Sequence, residues 1–147
     1  MTTRTAPDEQ EAHGRAVVVG RSIGYCQTGC GHQGSEWAHR VARGRGGSWA
    51  PVNGLWLCSF CHAATHARQT LARSCGWMVP THHHPAQVPA LIATQLGPGW
   101  HVLDEMDEQG QPTNLARLAE PGEIPAGMWP GTLADALAAL RSRGAVA

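Results

Sequence analysis

Between Cys26 and His66 the chain gathers a dense set of side chains able to hold a metal or move a proton. Cys26 and Cys30 form a C-x3-C pair and Cys58 and Cys61 a C-x2-C pair. Four thiolates in two such knuckles suit a closed tetrahedral Zn²⁺ site, which is structural because no position is left open for water. Four buried small hydrophobes are the competing reading, and they would not explain knuckle spacing in both pairs. His32 could stand in for one cysteine, but four cysteines already complete the set. His62 and His66 lie four residues apart, so on a helix their imidazoles point the same way about one turn apart. Such a pair suits a second, open metal site, although histidines at this spacing are also common as plain surface residues.

These residues need elements to present them. "SEWAHRV" alternates as a strand, with Trp37 and His39 on one face and Glu36, Ala38 and Arg40 on the other. A Gly- and Arg-bearing loop follows, then "LWLC" as the return strand, and then a helix from near Phe60 to Cys75 that Gly76 is placed to stop. The order is ββα. Upstream, residues 1–14 read as a disordered acidic lead and "RAVVVGRSIGY" as a short apolar strand. Downstream, "VPTHHHPAQVPALIATQLGPGW" carries four prolines and reads as an extended connector. "WHVLDEMDEQGQPTNLARL" suggests two strands around an acidic turn at Asp107 to Gly110. A final helix is better marked: Thr132 as N-cap with Asp135 three residues on, Leu133, Leu137 and Leu140 at helical spacing, and Arg141 and Arg143 at the negative end of the dipole.

The whole chain of 147 residues carries no formal net charge and no lysine, but its charges are segregated. Residues 12–103 hold seven arginines (Arg15, Arg21, Arg40, Arg43, Arg45, Arg68, Arg73) against Glu36 alone, for +6, while residues 1–11 carry −2 and residues 104–147 carry −4. A basic segment coincident with the candidate site suits a polyanionic partner. The N-terminus is polar, with no apolar core of a secretory signal, and no stretch is long enough to cross a membrane. A cytoplasmic location keeps thiols reduced, which favours metal binding over disulfides for the cysteine pairs.

The string "EWAHRVARGRGGSWAPVNGLWLCSFCHAATHA" adds intervals to residue types. Asn53 lies fourteen residues after His39, and His62 and His66 lie nine and thirteen after Asn53. Over residues 22–78 the chain resembles the HNH endonucleases, the histidine-metal finger or ββα-metal nucleases, in the zinc-stapled four-cysteine form carried by bacteriophages of high-GC hosts. The resemblance implies an α+β fold: a small ββα-metal (HNH) finger with a structural four-cysteine zinc site over residues 15–78, plus an accessory C-terminal region, 79–147, ending in a helix. It implies a DNA endonuclease that hydrolyses phosphodiester bonds and leaves 5′-phosphate and 3′-hydroxyl ends.

In that reading His39 is the general base, since a neutral imidazole can take a proton from water at working pH, and its ring needs orienting by a carbonyl or amide across the hairpin. Asn53 links the loop to the backbone near His39, or is simply the turn former of "VNG"; one residue can do both. His62 and His66 hold a catalytic divalent ion, Mg²⁺, Mn²⁺ or another transition metal, alongside the structural Zn²⁺. Arg40, Arg43 and Arg45, set among glycines, suit phosphate contact, and Arg68 adds a fourth DNA-binding cation. The partners implied are DNA and, in packaging-associated phage relatives, terminase or another phage protein, with no membrane; homing and restriction enzymes are further relatives. One departure matters. Many relatives place a metal-ligating histidine or aspartate just before the base, where this chain has Ala38, with Glu36 on the same strand face as a substitute.

A second class of function remains open, a non-catalytic zinc-dependent DNA- or protein-binding module derived from an HNH fold. The retained His39, His62 and His66 argue for the enzyme. Trp37, Trp49, Trp56 and Trp77 could stack on bases but in a small domain belong to the core. His82, His83 and His84 read as an exposed polar run more readily than as a metal site, and Cys75 as a buried spectator.

Overall fold

A computed structural model describes residues 7–103, 108–109, 113 and 115–142. Residues 1–6 of the expected lead, both ends of the expected acidic turn (107 and 110) and Arg143 lie outside the described residues. The chain mixes helices with two small antiparallel sheets. Strand β1 (Glu36–His39) pairs with β2 (Gly54–Leu57), placing His39 opposite Gly54 and Glu36 opposite Leu57. Helix α2 (Ser59–Ala67) follows directly, so the ββα order read from the sequence is present.

Helix α1 (Pro7–Ser22) corrects two expectations, because residues 7–14 are not a disordered lead and the Val17–Val19 run is not a strand. Proline in the first turn and acids near the positive end of the dipole favour a helix here. Its buried positions are Gly14, Val18, Arg21 and Ser22, a helical stripe in which glycine and arginine replace the apolar residues that would have revealed it. Gly14 has a contact reason: a Cβ there would lie 2.2 Å from the Trp49 carbonyl oxygen.

The expected single helix to Cys75 is broken. Arg68 leaves helical geometry (φ −129°, ψ 62°) between α2 and α3 (Gln69–Ser74), and Gly76 follows with φ +70°, a left-handed stop that glycine adopts without strain. The connector expectation fails in its second half: after a loop with a short turn at Pro85–Gln87, β3 (Ala90–Thr94) and β4 (Gly97–Val102) form a hairpin. Three of the four prolines fall in the loop. The fourth, Pro98, lies in β4 beyond the part that β5 (Arg117–Leu118) covers, where no ladder donor is required of it. Helix α4 (Leu133–Arg141) begins with the expected capping box: the Thr132 hydroxyl accepts from Asp135 N–H at 3.1 Å and Asp135 Oδ2 from Thr132 N–H at 3.1 Å.

One hydrophobic core runs through all of this. Leu55, Leu57 and Cys61 pack in the same buried cluster as Leu91, Ile92, Leu103, Leu133 and Leu140. Trp77 joins them, its indole N–H donating to the Leu91 carbonyl at 2.6 Å. Trp37 is buried too, while Trp49 and Trp56 are half-buried. Cys75 is fully buried and its thiol is pushed up to about 12 by that burial, as an unreactive spectator should be.

Candidate functional site

The four cysteines converge. The sulfurs of Cys26, Cys30, Cys58 and Cys61 all lie within 4.8 Å of one another, with Cys30 Sγ 3.9 Å from Cys58 Sγ, and no disulfide joins them. Tetrahedral coordination at about 2.3 Å per Zn–S bond requires S–S edges of about 3.8 Å, so the donor set fits a metal ion such as zinc. Local chain geometry prepares each knuckle. In the first, Cys26 N–H donates to the His32 carbonyl and Gly29 N–H to that of Cys26, while His32 itself stays exposed. In the second, Cys58 is the N-cap of α2, its sulfur accepting from Cys61 N–H at 3.4 Å.

Charge explains why the cluster wants a cation. The hydrogen bond between Cys61 and Cys26 pulls the Cys26 thiol down and pushes that of Cys61 up, while burial pushes Cys58 up. A divalent ion removes that conflict by ligating all four as thiolates. The buried Thr28 hydroxyl sits 3.2 Å from Cys26 Sγ and 3.3 Å from Cys61 Sγ, a polar partner for the sulfurs that the sequence did not reveal. Gln27 also escaped notice. Fully buried within the knuckle, it accepts from Trp56 N–H through its side chain, and its own carbonyl accepts from Ala93 N–H, so it ties the knuckle to both sheets.

The histidines also share a space. His39 from β1 and His62 and His66 from α2 line one cleft of about 580 Å³, the two helix rings having centroids 5.1 Å apart. Among the described residues no carboxylate lines the cleft, whereas Arg40, Arg43, Arg45 and Arg73 do. Burial first, then the charge of Arg43, lowers the pKa of His39 below its ordinary value, so the ring is neutral at pH 7. Its orientation differs from expectation: among the described residues no carbonyl holds it. Instead its ring lies edge-on to Trp49 at 4.5 Å and to Trp37 at 5.9 Å, with Nε2 buried and unpartnered, which leaves Nδ1 as the nitrogen able to meet solvent.

Asn53 is a clamp. Its Oδ1 accepts from Val41 N–H at 2.8 Å, and its Nδ2 donates to the carbonyls of Val41 at 3.2 Å and Ser48 at 3.0 Å. The two ends of the 41–48 loop are thereby pinned beside His39. Glu36, expected as a substitute for Ala38 at the ion, reaches His62, Oε1 to Nδ1 at 2.8 Å. Ala38 is buried in the core.

Two of the four expected DNA-contacting arginines are engaged by the protein's own backbone. Arg40 is 1% exposed and its guanidinium donates to the carbonyls of Gly76, Val52, Pro85 and Val88, because the strand turns it inward beneath the loop. Arg68 does not line the cleft, and its guanidinium donates to the Ser142 carbonyl. Arg43 and Arg45 remain at the cleft, joined by Arg73, which no motif or interval in its own segment singles out. His82, expected only as part of an exposed run, also lines it.

Comparison with protein-family models, curated proteins and solved structures finds no match. Among the described residues no helix is long and apolar enough to cross a membrane.

Proposed function

We propose that the protein is an HNH-type endonuclease that hydrolyses DNA phosphodiester bonds with His39 as general base, a divalent ion at His62 and His66, and Zn²⁺ as a structural staple at the four cysteines. One observation carries this reading: a hairpin histidine and a helical histidine pair line a single cleft walled by arginines and, among the described residues, free of carboxylates. His39 meets the first requirement of a base, being neutral at pH 7. Its solvent-facing Nδ1 would take the proton of the attacking water, with the ring's remaining proton on Nε2. His62, with Nδ1 engaged by Glu36, has Nε2 left for an ion, and a carboxylate behind a ligating imidazole fixes the tautomer and raises its basicity. An ion held there supplies Lewis acidity to the scissile phosphate and the leaving 3′ oxygen. Arg43, Arg45 and Arg73 supply the cationic wall that holds phosphate.

A binding module without turnover is favoured by one observation only, that Ala38 is buried and the candidate ion has two imidazoles as protein ligands. Supercoiled-plasmid nicking across Mg²⁺, Mn²⁺, Co²⁺ and Ni²⁺ decides between them. The nuclease reading expects cleavage that His39→Ala lowers by about 10²–10⁴-fold at unchanged zinc content. Parent protein that binds plasmid but nicks in none of these metals, or His39→Ala that nicks as fast as parent, refutes it.

A further inference from the structure

A second cavity adjoins the histidine cleft and is not used by the chemistry above. It measures about 630 Å³ and lies between the 45–53 loop and the 81–85 loop. The two spaces share Arg45, Thr81 and His82, so those residues form the sill between them. Ser48, His83 and His84 line the second cavity but not the cleft, and like the cleft it has no carboxylate among the described residues of its wall.

We propose that this cavity is a nucleoside subsite: the strand whose phosphate lies in the histidine cleft passes over the sill at Arg45 and His82, and its next, unpaired nucleoside sits between the two loops. The inference rests on the nuclease reading for the direction of the strand. Its volume falls in the roughly 300–1,000 Å³ range that encloses small organic ligands, enough for one nucleoside and too little for stacked base pairs. Its chemistry suits the same occupant. Arg45 on the sill offers a guanidinium to the connecting phosphate. His82 and His83, ring centroids 4.2 Å apart, offer flat imidazole faces on which a base can stack, and stacking accepts any base. Ser48 and His84 also line the wall; Ser48 Oγ accepts from Ala50 N–H and His84 Nδ1 from Ala86 N–H, which leaves the hydroxyl proton and Nε2 to meet sugar or base edges. The wall is also fixed in advance, since Asn53 holds the Ser48 carbonyl and has no donor left for a ligand.

The test uses full-length protein, checked for zinc content and melting temperature, in the forms parent, His83→Ala and Ser48→Glu. Both changed side chains are exposed and line the second cavity but not the histidine cleft. Anisotropy of a fluorescein-labelled single-stranded dodecamer, without added divalent ion, should show affinity about tenfold weaker in His83→Ala, the scale of one lost base stack, and about as much weaker in Ser48→Glu, whose carboxylate fills the cavity and repels the strand. With Mn²⁺ added, kcat/KM for the dodecamer relative to that for bis(p-nitrophenyl) phosphate, which is too small to span the sill, should fall about tenfold. Unchanged dodecamer affinity in folded variants overturns the subsite, as does parent that fails to bind the dodecamer, or an equal loss on both substrates. If parent binds the dodecamer but cleaves neither substrate, the nuclease reading fails, and the subsite is judged on the binding arm alone.

Discussion

On the DNA-binding reading, Arg40→Ala should destabilise the protein rather than weaken its hold on DNA. The reasoning starts from the guanidinium, 1% exposed, which donates to four backbone carbonyls at 2.8, 3.1, 3.0 and 2.6 Å. Those acceptors belong to the helix stop at Gly76, the loop before β2 and the 85–88 turn, so one side chain joins three segments. Burial lowers its pKa to about 9, and it remains cationic at neutral pH. Hydrogen bonds to a charged group contribute about 1.5–3 kcal/mol each, and a carbonyl stranded without a donor costs about 1–3 kcal/mol. The desolvation of the buried cation offsets part of this. Water entering the vacated space relieves more, so a net loss of about 4 kcal/mol is a fair expectation. In a chain of this size that lowers the melting temperature by roughly 8–16 °C. Differential scanning calorimetry of parent, Arg40→Ala and Arg43→Ala measures it, with DNA affinity determined on whatever remains folded. Arg43→Ala should melt near parent and bind DNA less well. If Arg40→Ala instead melts within about 2 °C of parent and loses DNA affinity, Arg40 faces the phosphates and the account of its burial is wrong.

Purified protein should contain one zinc per chain, and Cys30→Ser or chelation in mild denaturant should abolish the cooperative thermal transition; a metal-free preparation that melts cooperatively at the parent temperature would remove the staple. On the nuclease reading, the acid limb of kcat/KM should lie below about pH 6.5, because burial and then Arg43 lower the pKa of His39, and Arg43→Ala should move that limb to higher pH; a limb that stays put separates His39 from the proton transfer. By the same linkage an unfolded His39 binds more protons than the folded one as pH falls through about 6.5, so this residue makes the fold less stable in acid. Ile23, a β-branched residue at φ +56° with its side chain 62% exposed, should be better as glycine: Ile23→Gly relieves roughly 1 kcal/mol of left-handed strain and raises the melting temperature by about 2–4 °C, and a fall instead would mean that its side chain packs usefully. Ala38→Asp should fail to supply a third metal ligand and should lower stability by placing a carboxylate in the core; a lower Mn²⁺ requirement for nicking in that variant would show that the position faces the ion.

What the sequence disclosed was whatever local chemistry decides. Knuckle spacing brought four sulfurs together because a tight turn can place two thiols on one point, and strand alternation set Trp37 and His39 on one face. The capping box at Thr132 and Asp135 was legible because its partners are three residues apart. Elements decided by distant partners were not. Helix α1 hid because Gly14 lies under the Trp49 carbonyl and Arg21 sends its guanidinium to the carbonyls of Pro51 and Gly54, contacts with no signature within their own segment. Arg40 read as a loop cation for the same reason, since its four acceptors stand 12 to 48 residues away. Pro98 obscured a strand because tolerance for it depends on where β5 happens to end.

The link from Glu36 to His62 shows how register turns a local pattern into a site. Pairing of Glu36 with Leu57 sets the start of β1 against the residue before Cys58, and Cys58 is both a cluster ligand and the cap of α2. His62 then lies one turn into the helix, where its Nδ1 meets the Glu36 carboxylate at 2.8 Å. A one-residue slip of the hairpin would turn Glu36 to the opposite face and expose Ala38, while moving His39 away from the Trp49 indole. The cysteine cluster resists such a slip, because it fixes the chain shortly before β1 and immediately after β2 to one point. On the nuclease reading, the absence of a ligand at Ala38 is therefore answered through an existing ligand: a carboxylate behind His62 makes that imidazole a stronger and better aimed donor, so the staple and the catalytic ion depend on the same four residue pairs of β1 and β2.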